Sequence, residues 1–166
     1  MEIPELYKDV KFMDVDQKIR EAAESQFKQG LGIYLWGEVG VGKTHIAYAI
    51  AKQLKKLGIN FNFEKVAPLM DRLRKYDEDE YLDKLKTDLG VLFLDDLGVE
   101  KTSDWVREKL ITLLDYRAEH KLPVFITSNC DIKKTLAENV GGRLSSRIAG
   151  MTIVFEKGGG DKRIEK

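Results

Sequence analysis

The stretch GEVGVGKT, residues 37–44, matches the spacing G-x-x-x-x-G-K-[ST], whose residue types suit the binding of a polyphosphate. Glycines let backbone N–H groups converge on phosphate oxygens, where a side chain would block the approach. Lys43 can reach the β- and γ-phosphates of a nucleotide, and the Thr44 hydroxyl can ligate Mg²⁺. A helix beginning here would point its N-terminus at the same anions. The nucleotide-binding residues are therefore read as Gly37, Glu38, Val39, Gly40, Val41, Gly42, Lys43, Thr44 and the adjoining His45. A chance glycine turn with a lysine is the competing reading. The motif argues against it by lying between a strand-like apolar run and an amphipathic segment, the context that phosphate binding requires.

Binding a nucleotide is not hydrolysing it, which needs groups for metal and water. VLFLDD, residues 91–96, ends an apolar run in two carboxylates. Asp95 is placed to hold Mg²⁺ through its water shell. Asp96 is placed to orient or deprotonate the attacking water, or else to cap the following turn. Asn129 ends a second apolar run, in VFITSN, where its amide can hydrogen-bond a γ-phosphate or the water; a turn before Asp131 is the alternative. Arg143 and Arg147, in GGRLSSRI, lie one helical turn apart and project from one face, either as a solvated pair or toward an anion outside the chain. The loops between 37 and 129 hold no obvious arginine for neutralising a γ-phosphate.

Positioning these groups takes alternating strands and helices. GIYLW (32–36), NFNFEKV (60–66), GVLFLDD (90–96), PVFITSN (123–129) and MTIVFE (151–156) read as β segments. A first helix is expected from Asp14, where DVDQ offers an acidic cap, with Ile19, Ala22, Ala23 and Phe27 inward. A second carries Ile46, Ala49, Ile50, Leu54 and Leu57 and stops at Gly58. Residues 67–88 carry helical material, and 103–120 form an amphipathic helix with Val106, Leu110, Leu113 and Leu114 inward. This alternation predicts one α/β domain with a mainly parallel sheet, and in such sheets ligands collect at the strands' carboxyl ends.

The chain of 166 residues suffices for one domain with a real core. Its 28 basic and 28 acidic residues cancel, so nucleic acid can be held only by a local patch, not by a global field. The single cysteine, Cys130, excludes an internal disulfide and suits a reducing compartment. Apolar runs of strand length and an acidic, charged N-terminus give neither a membrane span nor a signal peptide, so a cytoplasmic location is expected. Two distant histidines, His45 and His120, make no metal site.

The phosphate loop, paired-acid strand, polar-tipped strand and late RLSSRI occur in the order seen in AAA+ ATPases. VLFLDDLGVE, SDWVREKL and VFITSN are most similar to the ATPase domain of bacterial replicative helicase loaders, the DnaI/DnaC family, and the resemblance runs over about residues 7–156. IstB-type transposition helper ATPases share much of the pattern. The resemblance implies an AAA+ P-loop NTPase core at 31–156, with five strands between helices. An N-terminal segment and first helix, 1–30, would pack on it, and 157–166 would form a flexible tail. Only ten residues follow Glu156, so the usual helical lid is expected to be absent. Arg163 in the tail and Glu100 after the aspartates have no settled role.

By the same resemblance, Lys43, Asp95, Asp96, Asn129 and Arg147 are the catalytic set, with Arg147 entering a neighbouring subunit's ATP site. Many such ATPases place glutamate where Asp96 stands, so slow, assembly-stimulated, Mg-dependent hydrolysis of ATP to ADP is expected. The implied partners are a replicative hexameric helicase, single-stranded DNA and further copies of the chain. The implied process is DNA replication. The basic groups of RLRK (72–75), Lys84 and Lys86 mark no clear DNA contact, because acidic residues outnumber basic ones between 71 and 88. Tyr7 to Phe12 could cover an adenine or simply pack on the core. Two other readings remain open, a weakly hydrolysing regulatory nucleotide-binding module and a transposase helper ATPase.

Overall fold

The computed structural model of the protein describes residues 3–76, 79–98 and 102–159. Five strands form one sheet: β1 (Gly32–Trp36), β2 (Phe61–Lys65), β3 (Val91–Leu97), β4 (Val124–Ser128) and β5 (Thr152–Glu156). Their order is β2-β3-β4-β1-β5 and every pairing is parallel. All carboxyl ends therefore lie along one edge. The expected α/β class with its parallel sheet is what the structure shows.

Alternate residues of β1, β3 and β4 enter different cores. Ile33, Leu35, Val91, Phe93 and Phe125 join α1 (Gln17–Gln26) and α2 (Lys43–Lys56) on one face. Tyr34, Leu92, Leu94, Val124 and Ile126 join the helices of the other face. Those are α3 (Val66–Tyr76), α4 (Asp79–Thr87), α5 (Asp104–Glu119), α6 (Thr135–Val140) and α7 (Gly142–Met151). Both faces are covered, which is why the inner strands read as unbroken apolar runs rather than as alternation.

The first helix starts later than Asp14. Asp14 closes a 3₁₀ turn, Phe12–Asp14, and the cap is Asp16, whose carboxylate accepts the Lys18 amide at 2.9 Å. Both aspartates stand before the same apolar face, and Val15, buried beneath the turn, decides between them. Ser103 caps α5, and its hydroxyl accepts the Val106 amide. Arg117 of α5 departs from the amphipathic pattern by being wholly buried. Its guanidinium donates to the carbonyls of Leu85, Asp88, Gly90 and Pro123, tying α4 and the starts of β3 and β4 to α5. Burial lowers its pKa to about 10.

No helix among the described residues is long and apolar enough to cross a membrane. Glu100 and Arg163 lie outside the described residues, as does the tail from residue 160.

Candidate nucleotide-binding site

The phosphate loop leaves the carboxyl end of β1, a central strand, and enters α2 at Lys43. A Cβ on Gly37 would stand 2.2 Å from the Lys157 carbonyl oxygen, so only glycine lets the chain after β5 pass the loop. Gly42 caps α2 at φ +94°, the left-handed region that frees its neighbours' N–H groups to point into the loop. Val41 anchors the loop in the core, while Glu38 and Val39 face solvent. Lys43 is 6% exposed, and its Nζ donates to the Gly37 and Glu38 carbonyls, each at 2.8 Å. The ammonium thus lies across its own loop, where a polyphosphate would meet it.

Next to the loop, Thr44 Oγ1 lies 3.0 and 3.2 Å from the two carboxylate oxygens of Asp95. Asp95 is 1% exposed. Burial raises its pKa, the Thr127 hydroxyl opposes that, the Asp96 charge adds to it, and Thr44 and Lys65 counteract it. A hard divalent cation bound by oxygen would relieve this desolvation. The hydroxyl and carboxylate that the sequence paired for Mg²⁺ therefore fit one.

Asp96 reaches its place through an irregularity in the sheet. Leu94 pairs with Ile126 and Leu97 with Ser128, so two aspartates of β3 oppose Thr127 alone. Asp96 is the bulged residue, exposed and at φ +61°. Thr127 holds both acids, because its hydroxyl donates to Asp95 Oδ1 at 2.6 Å and accepts the Asp96 amide at 2.9 Å. Ser128 continues the clasp by donating to the Leu97 carbonyl at 2.6 Å. Sequence reading passed over Thr127. VFITSN alone gives no signal for it, because its role depends on the register of β4 against β3.

Asn129 follows Ser128, whose carbonyl accepts the Gly37 amide at 3.3 Å, so Asn129 stands beside the start of the phosphate loop. Lys43, Thr44, Asp95, Asp96 and Asn129 thus share one edge of the sheet. His45 is exposed on the first turn of α2, with its ring edge-on to Tyr7 at 4.9 Å. Tyr7 stacks on Tyr48 at 4.2 Å, and Lys52 donates to the Lys8 and Val10 carbonyls, so the segment before α1 is fastened to α2.

The two arginines are elsewhere. Both lie on α7 and pair with Asp115 of α5, Arg147 through Nε at 2.5 Å and Arg143 through a terminal nitrogen at 3.2 Å. They line a cavity of about 910 Å³ with Asp115, Lys121, Gly30 and Leu31. Gly30 and Leu31 precede β1 and Lys121 precedes β4, so this cavity opens at the amino-terminal edge of the sheet. The five residues of β1 separate it from the phosphate loop, roughly 17 Å at the usual rise. Arg147 does not join its own chain's site.

Residues 7–138 match the profile of a family described as "IstB-like ATP binding protein". Over 106 residues the chain is 40% identical to the replicative helicase loader DnaI of Bacillus subtilis (strain 168), covering 61% of this chain and 34% of that protein. It therefore spans about a third of that curated relative's length. A crystal structure of DnaI superimposes with a TM-score of 0.83 at 30% identity, covering 97% of this chain and 94% of that one. A crystal structure of the DnaC helicase loader gives 0.82 at 27% identity, covering 93% of this chain and 100% of that one.

Proposed function

Because the chain belongs to the IstB-like ATP-binding protein family, we propose that it is the ATPase core of a helicase loader. In this reading ATP binds at one edge of the sheet and is completed by Arg147 of a second copy. The observation that carries the reading is the placement of Lys43, Thr44, Asp95, Asp96 and Asn129 at one strand edge, with both arginines at the other. A neighbour can supply Arg147 across a head-to-tail contact, whereas the chain's own site cannot receive it.

Lys43 would leave the Gly37 and Glu38 carbonyls for the β- and γ-phosphates, exchanging one set of oxygens for another. Thr44 and Asp95 would hold Mg²⁺, which when bound neutralises phosphate charge. Asp96 would orient the attacking water from its bulged position, and Asn129 would hydrogen-bond the γ-phosphate or that water. Arg147 from the neighbour would offset the charge that develops there, a contribution of about 10³ to 10⁵ in rate for such a finger. Hydrolysis would consequently be slow in the isolated chain and would rise with assembly.

In this reading single-stranded DNA and a replicative helicase would be the partners, in the cytoplasm, which the resemblance to helicase loaders supports.

The test is fluorescence anisotropy of a labelled single-stranded oligonucleotide titrated with the protein, in ATPγS and in ADP. Binding in ATPγS only, steep in protein concentration, is expected. Binding in neither state would rule out a nucleotide-gated assembly on DNA. The IstB-like profile match favours one second reading, a transposition helper, which would prefer double-stranded over single-stranded DNA in the same titration.

A further inference from the structure

Asp115 belongs to no phosphate-binding element, yet both of its oxygens are engaged by the arginines of α7. Oδ1 accepts from Arg147 Nε, and Oδ2 accepts from Arg143. The choice of nitrogen matters. An arginine carries five N–H donors in a rigid fork, and a carboxylate taken at Nε leaves the outer two nitrogens for a second anion. Among the described residues neither outer nitrogen of Arg147 has a hydrogen-bond partner. Arg147 remains 41% exposed at its side chain, while Asp115 is 21% exposed and acts as the sunken anchor of the pair.

The charge around the fork agrees. The cavity it borders carries Lys121, Arg143 and Arg147 against the single carboxylate of Asp115, so a net positive field remains after the pairing. Such a hollow can receive an anionic group presented by another molecule.

We infer that Asp115 is a positioning residue for hydrolysis in the neighbouring subunit. It fixes Arg147 through Nε, with Arg143 bracing its other oxygen, so that the outer nitrogens of Arg147 meet the γ-phosphate of a second copy's nucleotide already oriented. This rests on the assignment of Arg147 to a second copy's site. Without the carboxylate the guanidinium would sample many rotamers, and misplacement of about 1 Å can cost a hundredfold in rate.

The experiment measures ATP hydrolysis against protein concentration for the full chain, with kcat and KM separated. The variants are Asp115→Ala, Asp115→Asn, Asp115→Glu, Arg147→Ala and Asp115→Ala/Arg147→Ala, and melting temperatures are recorded alongside. Asp115→Ala and Asp115→Asn should lower the concentration-dependent kcat about a hundredfold with KM for ATP little changed. Asp115→Glu should recover part of the loss, and Asp115→Ala should lower kcat no further once Arg147 is absent. If Arg147→Ala abolishes the stimulation but both Asp115 variants stay within about threefold of the parent, the positioning role is wrong and the trans arginine stands. An equal loss from Asp115→Ala with and without Arg147 would mean a structural role only. Retention of full stimulation by Arg147→Ala would overturn the trans assignment itself, and Asp115 with it.

Discussion

Thr127 Oγ1 lies 2.6 Å from Asp95 Oδ1, across the ladder between β3 and β4. The same oxygen accepts the Asp96 amide, so one hydroxyl sets both acids together. Thr127→Val keeps the shape and removes both bonds. It should lower kcat for ATP about ten- to a hundredfold and cost about 1–3 kcal/mol of stability, because the Asp96 amide loses its partner and the buried Asp95 carboxylate keeps only Thr44. Thr127→Ser should restore most of both, as read by steady-state kinetics and thermal melting.

Lys43 donates to two carbonyl oxygens, which the proposed role would exchange for two phosphates. Charge-assisted hydrogen bonds contribute about 1.5–3 kcal/mol each, so Lys43→Ala should weaken ATP binding by roughly a hundredfold or more. Titration of a fluorescent ATP analogue would read this directly. An affinity within threefold of the parent would mean that the ammonium does not meet the phosphates.

Asp95 gives a pH signature. Burial raises its pKa, so the folded chain binds its proton more tightly than the unfolded chain does. Stability should therefore fall as pH rises through the interval between the unfolded and folded values, and stay lower above it. Asp95→Asn removes this penalty. Without nucleotide at pH 7.5 it should melt higher than the parent, by about 2–4 °C for each kcal/mol recovered. The difference should shrink as the pH approaches 4, and Mg²⁺ with ATP should raise the melting temperature of the parent more than that of the variant.

Arg117 anchors four carbonyls inside the fold. Arg117→Met fills similar space and takes this donor from all four oxygens, of which, among the described residues, only that of Pro123 keeps another partner, the Leu92 amide, at a cost of at least about 3 kcal/mol. For a chain of this length that corresponds to roughly 6–12 °C in melting temperature. A loss under 2 °C would show that water replaces the guanidinium without penalty.

The five strands and the phosphate loop were legible because their signals are local. GIYLW and GVLFLDD are unbroken apolar runs, and GEVGVGKT fixes its own geometry through glycine. Asp115 and Thr127 were not legible, because what they do depends on register and helix packing. Thr127 acts through a two-against-one pairing that no single run of residues announces. Asp115 meets Arg147 from 32 positions away, and in its own helix it looks like any solvated acid. Arg117 inverted the usual expectation that arginine faces water, since its partners are main-chain carbonyls of α4 and of the turns before β3 and β4, which sequence periodicity does not reveal.

The parallel sheet has a further consequence. With the phosphate loop at one edge and the arginines at the other, donor and acceptor surfaces differ, so the joint between copies proposed above would be heterologous. A two-fold dimer would pair like with like and complete neither site. Copies joined this way would form a directional series, and an open series of n copies would hold n − 1 finished sites. One terminal copy would keep an unanswered nucleotide, and the other would expose an unused arginine. The two ends are chemically distinct, and a partner that binds only one of them would set the direction in which the series grows.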